Sequence, residues 1–246
     1  MLTIVALGVG NAFSVRHYSS CFALGADGAW LLVDCPHPIR KILHESSRAA
    51  GLALDIGDLC AVALTHLHAD HASGLEGLGY YAHFALGRRA RLVAHPAVLA
   101  EAWEHHLAAG MRRFMAPGDG VVERKLEDFF EVTALAEDAA VSVGPFSVEC
   151  RRTPHPVPTT ALRVRAGGRT LAYSADTAFD ERLIAWLADA DLVLHETGPG
   201  IHTPYERLAA LPPGLRARMR LIHYPDDFDT GRSVIEPLRQ GARHEV

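Results

Sequence analysis

Thr65-His66-Leu67-His68-Ala69-Asp70-His71 sets three imidazoles and a carboxylate within six consecutive positions, directly after the apolar run Ala61-Val62-Ala63-Leu64. The apolar run reads as a buried strand, and the period-two alternation of a strand brings His66 and His68 to the same side. Asp70 and His71 then fall on the turn that follows. Neutral imidazole and carboxylate oxygen are the ligands of catalytic zinc, and a site that leaves a coordination position to water is reactive. With 15 His in 246 residues, two neighbouring His would carry little information. The HxHxDH order at a strand end is far more specific.

His66-x-His68-x-Asp70-His71, followed by Gly74-Leu75, resembles the metal-binding signature of the metallo-β-lactamase-fold hydrolases. Members of that superfamily complete two metal sites with a third His, a bridging Asp and a last His, each at the end of a later strand. One candidate stands at each place. His155 lies in Arg152-Thr153-Pro154-His155-Pro156, after the strand-like Phe146-Ser147-Val148-Glu149-Cys150. Asp176 lies in Tyr173-Ser174-Ala175-Asp176-Thr177, similar to the family's Y-S-G-D-T block, and His223 ends Met219-Arg220-Leu221-Ile222-His223. The resemblance implies two divalent metal ions per chain, zinc first with Mn2+ or Fe2+ as alternatives. One is held by His66, His68 and His155, the other by Asp70, His71 and His223, with Asp176 bridging. Two cations about 3.5–4 Å apart hold a shared hydroxide at neutral pH and clamp substrate oxygens during its attack, and Asp70 both ligates and orients the nucleophile. Asp34, at the end of Trp30-Leu31-Leu32-Val33, resembles the buried Asp that fixes a ligand His in the family; a strand-end or helix-cap Asp is the alternative.

Length and composition fit one α/β domain with a well-covered core, and 49 % hydrophobic content argues against disorder. A net charge of −5 gives no general attraction to nucleic acid. Arg112-Arg113, Arg151-Arg152 and Arg216-x-Arg218-x-Arg220 read as solvated faces rather than basic patches. Cys21, Cys35, Cys60 and Cys150 are scattered without a CxxC pair and read as small buried residues in a reducing, cytoplasmic setting. The chain enters at once into Leu2-Thr3-Ile4-Val5-Ala6-Leu7 without the pattern of a secretory leader, and no apolar run reaches about 18 residues; no membrane association is expected.

Strands and helices alternate in two similar halves, about 1–130 and 131–246. In the first, 2–7, 20–24 and 29–33 read as strands, 38–50 as a helix and 61–64 as the strand carrying the motif. A helix over 71–84, a strand over 91–94 and a helix over 96–107 follow. The second half, beginning near Val132, has strands at 141–143 and 146–150 and a hairpin of 161–165 with 169–173 turned by Gly167-Gly168. A helix over 180–190, a strand over 191–195, a helix near 205–211 and a strand over 220–223 complete it. The order predicts two sheets packed face to face with helices outside, in agreement with the four-layer αββα sandwich that the resemblance implies. There the metal site lies along one edge, where strand ends of both halves meet.

Asp191-Leu192-Val193-Leu194-His195-Glu196-Thr197 followed by His202-Thr203 resembles the paired H-E-A and H-S-T blocks of the ribonuclease Z and phosphodiesterase branch. That likeness implies that Glu196 orients His202, which acts as general acid on the departing oxygen; chance HE and HT pairs are the alternative. The departures bear on substrate. The phosphate-facing D-C-G-E-G-T-Q turn of ribonuclease Z is replaced by Asp34-Cys35-Pro36-His37-Pro38, the arm that grips the tRNA elbow has no clear counterpart, and the L-T-H-F-S-x-R-Y block becomes Leu221-Ile222-His223-Tyr224-Pro225-Asp226-Asp227-Phe228. These features argue for a small-molecule or short nucleotide ester and against precursor tRNA. The segment 110–130, with Met111-Arg112-Arg113-Phe114-Met115 and Pro117-Gly118-Asp119-Gly120, is an insertion that reads as a lid, a homodimer surface or an ordinary excursion.

Gly8-x-Gly10-Asn11 is followed by extended sequence, whereas a nucleotide loop needs a helix there; Asn11 to Tyr18 is expected beside the site as a substrate loop. His44, His83, His95 and His105-His106 read as surface or packing residues, and Leu99, Trp103 and Leu107, at helical spacing, as core. Two further readings stand beside a metal-dependent phosphodiesterase. His68-Ala69-Asp70-His71 also resembles the HADH of the mononuclear iron persulfide dioxygenases, and thioester hydrolases share the scaffold. A metal-bound interaction protein without turnover is the non-catalytic alternative.

Overall fold

The computed structural model describes residues 1–116, 118, 120–137 and 139–246. The first sheet holds β1 (Thr3–Gly8), β2 (Cys21–Ala26), β3 (Ala29–Val33), β4 (Leu59–Leu64) and β5 (Ala90–Ala94), joined by helix α1 (Ile39–Ala49) and the short helices α2 (Ala69–Ala72) and α3 (Leu75–Tyr80). After β5 come α4 (Pro96–Ala102), α5 (Ala108–Met111), a separate hairpin of β6 (Arg113–Ala116) and β7 (Gly120–Glu123), and α6 (Leu126–Phe129). β8 (Phe130–Ala134) then returns to the first sheet. The second sheet holds β9 (Val141–Val143), β10 (Phe146–Arg152), β11 (Thr160–Ala166), β12 (Arg169–Tyr173), β13 (Leu192–Glu196) and β14 (Met219–Ile222), with α7 (Glu181–Leu187), α8 (Tyr205–Ala209) and α9 (Pro213–Arg216) in its connections. β15 (Arg243–Glu245) closes the chain.

The orders are β15-β1-β2-β3-β4-β5-β8 and β14-β13-β12-β11-β10-β9. Each sheet is antiparallel where hairpins build it, β1-β2-β3 and β9-β10-β11-β12, and parallel where helices cross over, β3-β4-β5-β8 and β12-β13-β14. Within the first sheet β1 to β5 are largely buried on both faces, which explains why these strands read as nearly continuous apolar runs. Ile4, Phe22, Leu24, Leu31, Val33, Ala61 and Ala63 pack in one cluster with Val148, Leu162, Val164 and Tyr173 of the facing sheet. Their alternating neighbours Val5, Leu7, Ala23, Leu32, Val62 and Leu64 pack in the other, with Ile39, Ile42 and Leu43 of α1 and Leu75 and Leu78 of α3. Each fully buried Leu, Ile or Phe contributes about 1.5–3 kcal/mol. On the far side of the second sheet, Leu183 and Leu187 of α7 are buried. The architecture is therefore the expected four-layer αββα sandwich.

Three differences from the sequence reading have physical causes. The helix expected over 71–84 is broken, because Gly74 sits where a Cβ would approach the Pro36 and Cys35 carbonyl oxygens at 2.5 and 2.8 Å; α3 then ends in a π-helical turn over Tyr81–Ala85. The helix expected over 96–107 likewise passes into a π-helical turn at Trp103–Leu107. β8, which the sequence reading did not name as a strand and whose residues it placed in the second half, lies parallel to β5 on the first sheet, where it continues the parallel ladder. Within the insertion, Pro117 and Asp119 lie outside the described residues; the described part is the β6–β7 hairpin and α6.

Candidate metal centre

The candidate metal ligands and Glu196 follow the ends of strands at one rim of the sandwich. β4 runs into Thr65 and His66, with His68 at the N-cap of α2 and Asp70 and His71 on it; β10 leads to His155, β12 to Asp176, β13 to Glu196 and β14 to His223. Hydrogen bonds pin these ends together. Thr160 N donates to Thr65 O across the sheets (3.1 Å), Thr153 Oγ1 to Asp176 O (2.9 Å) and Ala178 N to Pro154 O (3.0 Å). Among the described residues, Asp34, Ala175, His223 and Asp27 are the non-glycine residues with positive φ, at 60°, 50°, 57° and 48°. The first three flank or form the rim. A left-handed residue costs about 1–2 kcal/mol, and such outliers gather where function needs an otherwise unreachable geometry. The value at Ala175 also explains why the likened motif carries Gly at that place.

The seven metal-ligand candidates converge into two groups that share Asp176. His66, His68, His155 and Asp176 form one, Asp70, His71, Asp176 and His223 the other, and in each the donor atoms lie within 4.8 Å of one another. His155 Nε2 is 3.1 Å from His68 Nδ1, His223 Nε2 is 3.1 Å from Asp70 Oδ2 and 3.6 Å from Asp176 Oδ2, and His71 Nε2 is 3.3 Å from Asp176 Oδ1. His66 Nε2 and His71 Nε2 are buried without a hydrogen-bond partner. Buried unpaired nitrogens facing a carboxylate carry a desolvation cost of about 1–3 kcal/mol each, which coordination to a cation would remove. The residues therefore fit a pair of divalent ions.

A buried network sets the tautomers. Asp34 accepts from Thr65 N (2.8 Å), Thr65 Oγ1 (2.9 Å) and His71 Nδ1 (2.8 Å). Thr65 Oγ1 in turn lies 3.0 Å from His66 Nδ1. Because the Thr65 proton goes to Asp34, its oxygen accepts from His66 Nδ1–H, which leaves the His66 Nε2 lone pair to the centre; His71, its Nδ1 also on Asp34, would exchange the Nε2 proton facing Asp176 for a cation. Burial pushes the Asp34 carboxyl up, opposed by His71, and pulls His71 down, outweighed by Asp176 and Asp34, which hold it up. Three converging donors assign Asp34 as the carboxylate. Burial drives His66 well below the ordinary imidazole range and His155 down to about 4, which keeps both neutral. Burial opposes ionisation of Asp70 and Asp176, yet the neighbouring His71 and His223 hold both well below the usual carboxylate range.

Beside the centre, His202 Nδ1 is 3.1 Å from Glu196 Oε1. Glu196 is fully buried, its Oε1 also accepting from Thr177 N at 2.8 Å and Thr203 N at 3.4 Å, while His202 is only half-buried. The hydrogen bond to Glu196 raises the His202 imidazole above its ordinary value, against the effect of burial. The loop 11–18 is tied to the segment after His223: Asn11 N donates to Tyr224 O (3.3 Å), and Asp226 accepts from Val15 N (2.8 Å). Of the other histidines, His95 caps α4, its Nδ1 accepting from Ala97 N, and His106 Nε2 bonds Ala72 O, while His44 and His105 are exposed. Thr65 and Thr177 had no role in the sequence reading, although Thr65 lies inside the decisive run.

The family model described as anti-Pycsar protein Apyc1 matches residues 2–241. The anti-Pycsar protein Apyc1 of Saccharibacillus brassicae is 32 % identical over 256 residues, covering 100 % of both chains. Among solved structures, the metallo-β-lactamase fold protein YhfI from Bacillus subtilis superposes with a TM-score of 0.77 at 18 % identity, covering 100 % of this chain and 99 % of that one. The short form of human tRNase Z superposes with a TM-score of 0.69 at 18 % identity, covering 99 % of each.

Proposed function

Because the chain belongs to the family of the anti-Pycsar protein Apyc1, hydrolases of phosphoester bonds on the metallo-β-lactamase fold, we propose that it opens a small phosphodiester, a cyclic nucleotide above all, at a two-ion centre. The observation that carries this reading is the pair of donor groups joined through Asp176, with the His202–Glu196 pair beside them. A single iron, as in a persulfide dioxygenase, would leave one of the two groups without a purpose. The degradation of cyclic nucleotides associated with the family supports this choice of substrate class.

His66, His68 and His155 would hold one ion and Asp70, His71 and His223 the other, with Asp176 between them. When bound, the ions supply a water acidic enough to attack at neutral pH and neutralise the charge of the phosphate. Asp70, kept ionised by its His neighbours, orients the attacking water and accepts its hydrogen bond. His202 uses Nδ1 to face Glu196, which leaves Nε2–H to protonate the departing ribose oxygen. The Glu196 carboxylate stabilises the imidazolium before transfer, and the Thr177 and Thr203 backbone N–H groups hold Glu196 in place. An alkoxide is a poor leaving group, and proton donation of this kind contributes about 10²–10⁴-fold.

No helix among the described residues is long and apolar enough to cross a membrane. The four cysteines are free, which supports a reducing, cytoplasmic setting. The test is incubation of zinc- or manganese-loaded protein with bis(p-nitrophenyl) phosphate and with 3′,5′-cyclic nucleoside monophosphates, read by chromatography of the linear products. Ring opening is expected; folded, metal-loaded protein that leaves every phosphodiester intact would refute the reading.

A further inference from the structure

Glu196, His202 and His223 also have donor atoms within 4.8 Å of one another. Glu196 Oε2 is buried with no hydrogen-bond partner, although Oε1 has three. Glu196 thus keeps one buried acceptor oxygen unused, in a residue with a donor atom within 4.8 Å of both imidazoles. The His202 and His223 rings stand 5.1 Å apart at 40°, and His202 Nδ1 lies 3.1 Å from Glu196 Oε1. Zinc bonds of about 2.0–2.2 Å to nitrogen and oxygen, at a tetrahedral angle, place two donors about 3.3 Å apart, so the pair needs little movement to chelate. His223 belongs to this trio and to the main centre; if it turns to the additional ion, Asp70, His71 and Asp176 remain for the second.

We infer that Glu196, His202 and His223 form an auxiliary divalent-cation site that fills after the main centre and takes His202 out of proton transfer. Its affinity is lower for a reason of charge: two divalent ions already outweigh Asp34, Asp70 and Asp176, so a third cation meets a net positive centre with Glu196 as its one carboxylate. On binding, the cation takes the Nδ1 position that His202 otherwise turns to Glu196, and a proton held there leaves to solvent. The coordinated imidazole keeps an Nε2–H that is a far weaker acid than the imidazolium, so proton donation to the departing oxygen slows. Excess metal is thereby an inhibitor. The inhibitory consequence rests on the proton-donor role proposed for His202; the site itself does not.

The test is dialysis of the two-ion protein against rising zinc, with metal per chain measured by plasma mass spectrometry for wild type, Glu196→Gln and His202→Asn. Thermal melts confirm that the variants are folded and hold the first two ions. Wild type is expected to gain one ion more than either variant at the same zinc concentration, with turnover falling as that ion enters and recovering when a weak chelator strips it. Equal uptake by all three proteins overturns the site, and this count needs no substrate. If the extra ion binds without loss of turnover, the site stands and its link to proton transfer is overturned.

Discussion

His71 Nδ1 and Asp34 Oδ2 lie 2.8 Å apart, both fully buried, and through Thr65 the same carboxylate also sets the tautomer of His66. One residue that never faces substrate thus orients one imidazole in each donor group. Removing such a partner lowers metal affinity about 10–100-fold. Asp34→Ala is expected to lose affinity within that range in a chelator-competition titration, with Asp34→Asn less affected, because an amide oxygen still accepts one bond. Unchanged affinity in Asp34→Ala would show that the histidines are held by other means.

Gly74 N donates to Cys35 O at 2.7 Å, and Cys35 N donates to His71 O at 2.7 Å. A Cβ at position 74 would press on the Pro36 and Cys35 carbonyls, so Gly74→Ala must move the backbone that fixes Asp34 against His71. Crowding of this kind costs about 1–3 kcal/mol. Urea denaturation should show a loss of that size, and the metal affinity should fall with it; a neutral substitution would mean that the loop yields freely.

The proton-donor role separates leaving groups. His202→Ala is expected to slow hydrolysis of a cyclic nucleotide about 10²–10⁴-fold while slowing bis(p-nitrophenyl) phosphate far less, since nitrophenolate departs without a proton. Because Glu196 raises the His202 imidazole, Glu196→Gln should shift the alkaline limb of the kcat/KM profile toward lower pH. Equal losses on both substrates would remove the role.

Asp226 anchors the 11–18 loop, and its bonds from Ser14 and Val15 hold its carboxyl below the ordinary value of 3.8. A depressed carboxyl contributes only while ionised: the anchor is complete above the ordinary carboxylate range and is lost as pH falls through the lowered value. At neutral pH, Asp226→Ala should raise KM for a cyclic nucleotide several-fold with little change in Tm. An unchanged KM would mean that the loop does not approach substrate.

The decisive stretch was legible because its signal is local: alternation along β4 and a tight turn settle where His66, His68, Asp70 and His71 can point. His155, Asp176 and His223 are named through the resemblance, which implies a His, an Asp and a His after later strands; the apolar runs alone single out none of them. What escaped depends on distant contacts. The break at Gly74 comes from carbonyls nearly forty positions earlier, β8 joins the first sheet because β5 offers it a parallel edge, and β15 is a three-residue strand, Arg-His-Glu, without apolar alternation. The relay through Thr65 was hidden for the same reason, since a Thr inside a ligand run shows its hydroxyl partners only once Asp34 arrives from β3.

Asp176 carries the central claim, because both donor groups depend on it. Metal content and turnover of Asp176→Ala, measured on the same preparation beside wild type, test it most directly. Two ions per chain with full activity in wild type, and fewer than two with activity lowered by several orders of magnitude in the variant, are expected. Two ions and undiminished turnover in Asp176→Ala would contradict the account.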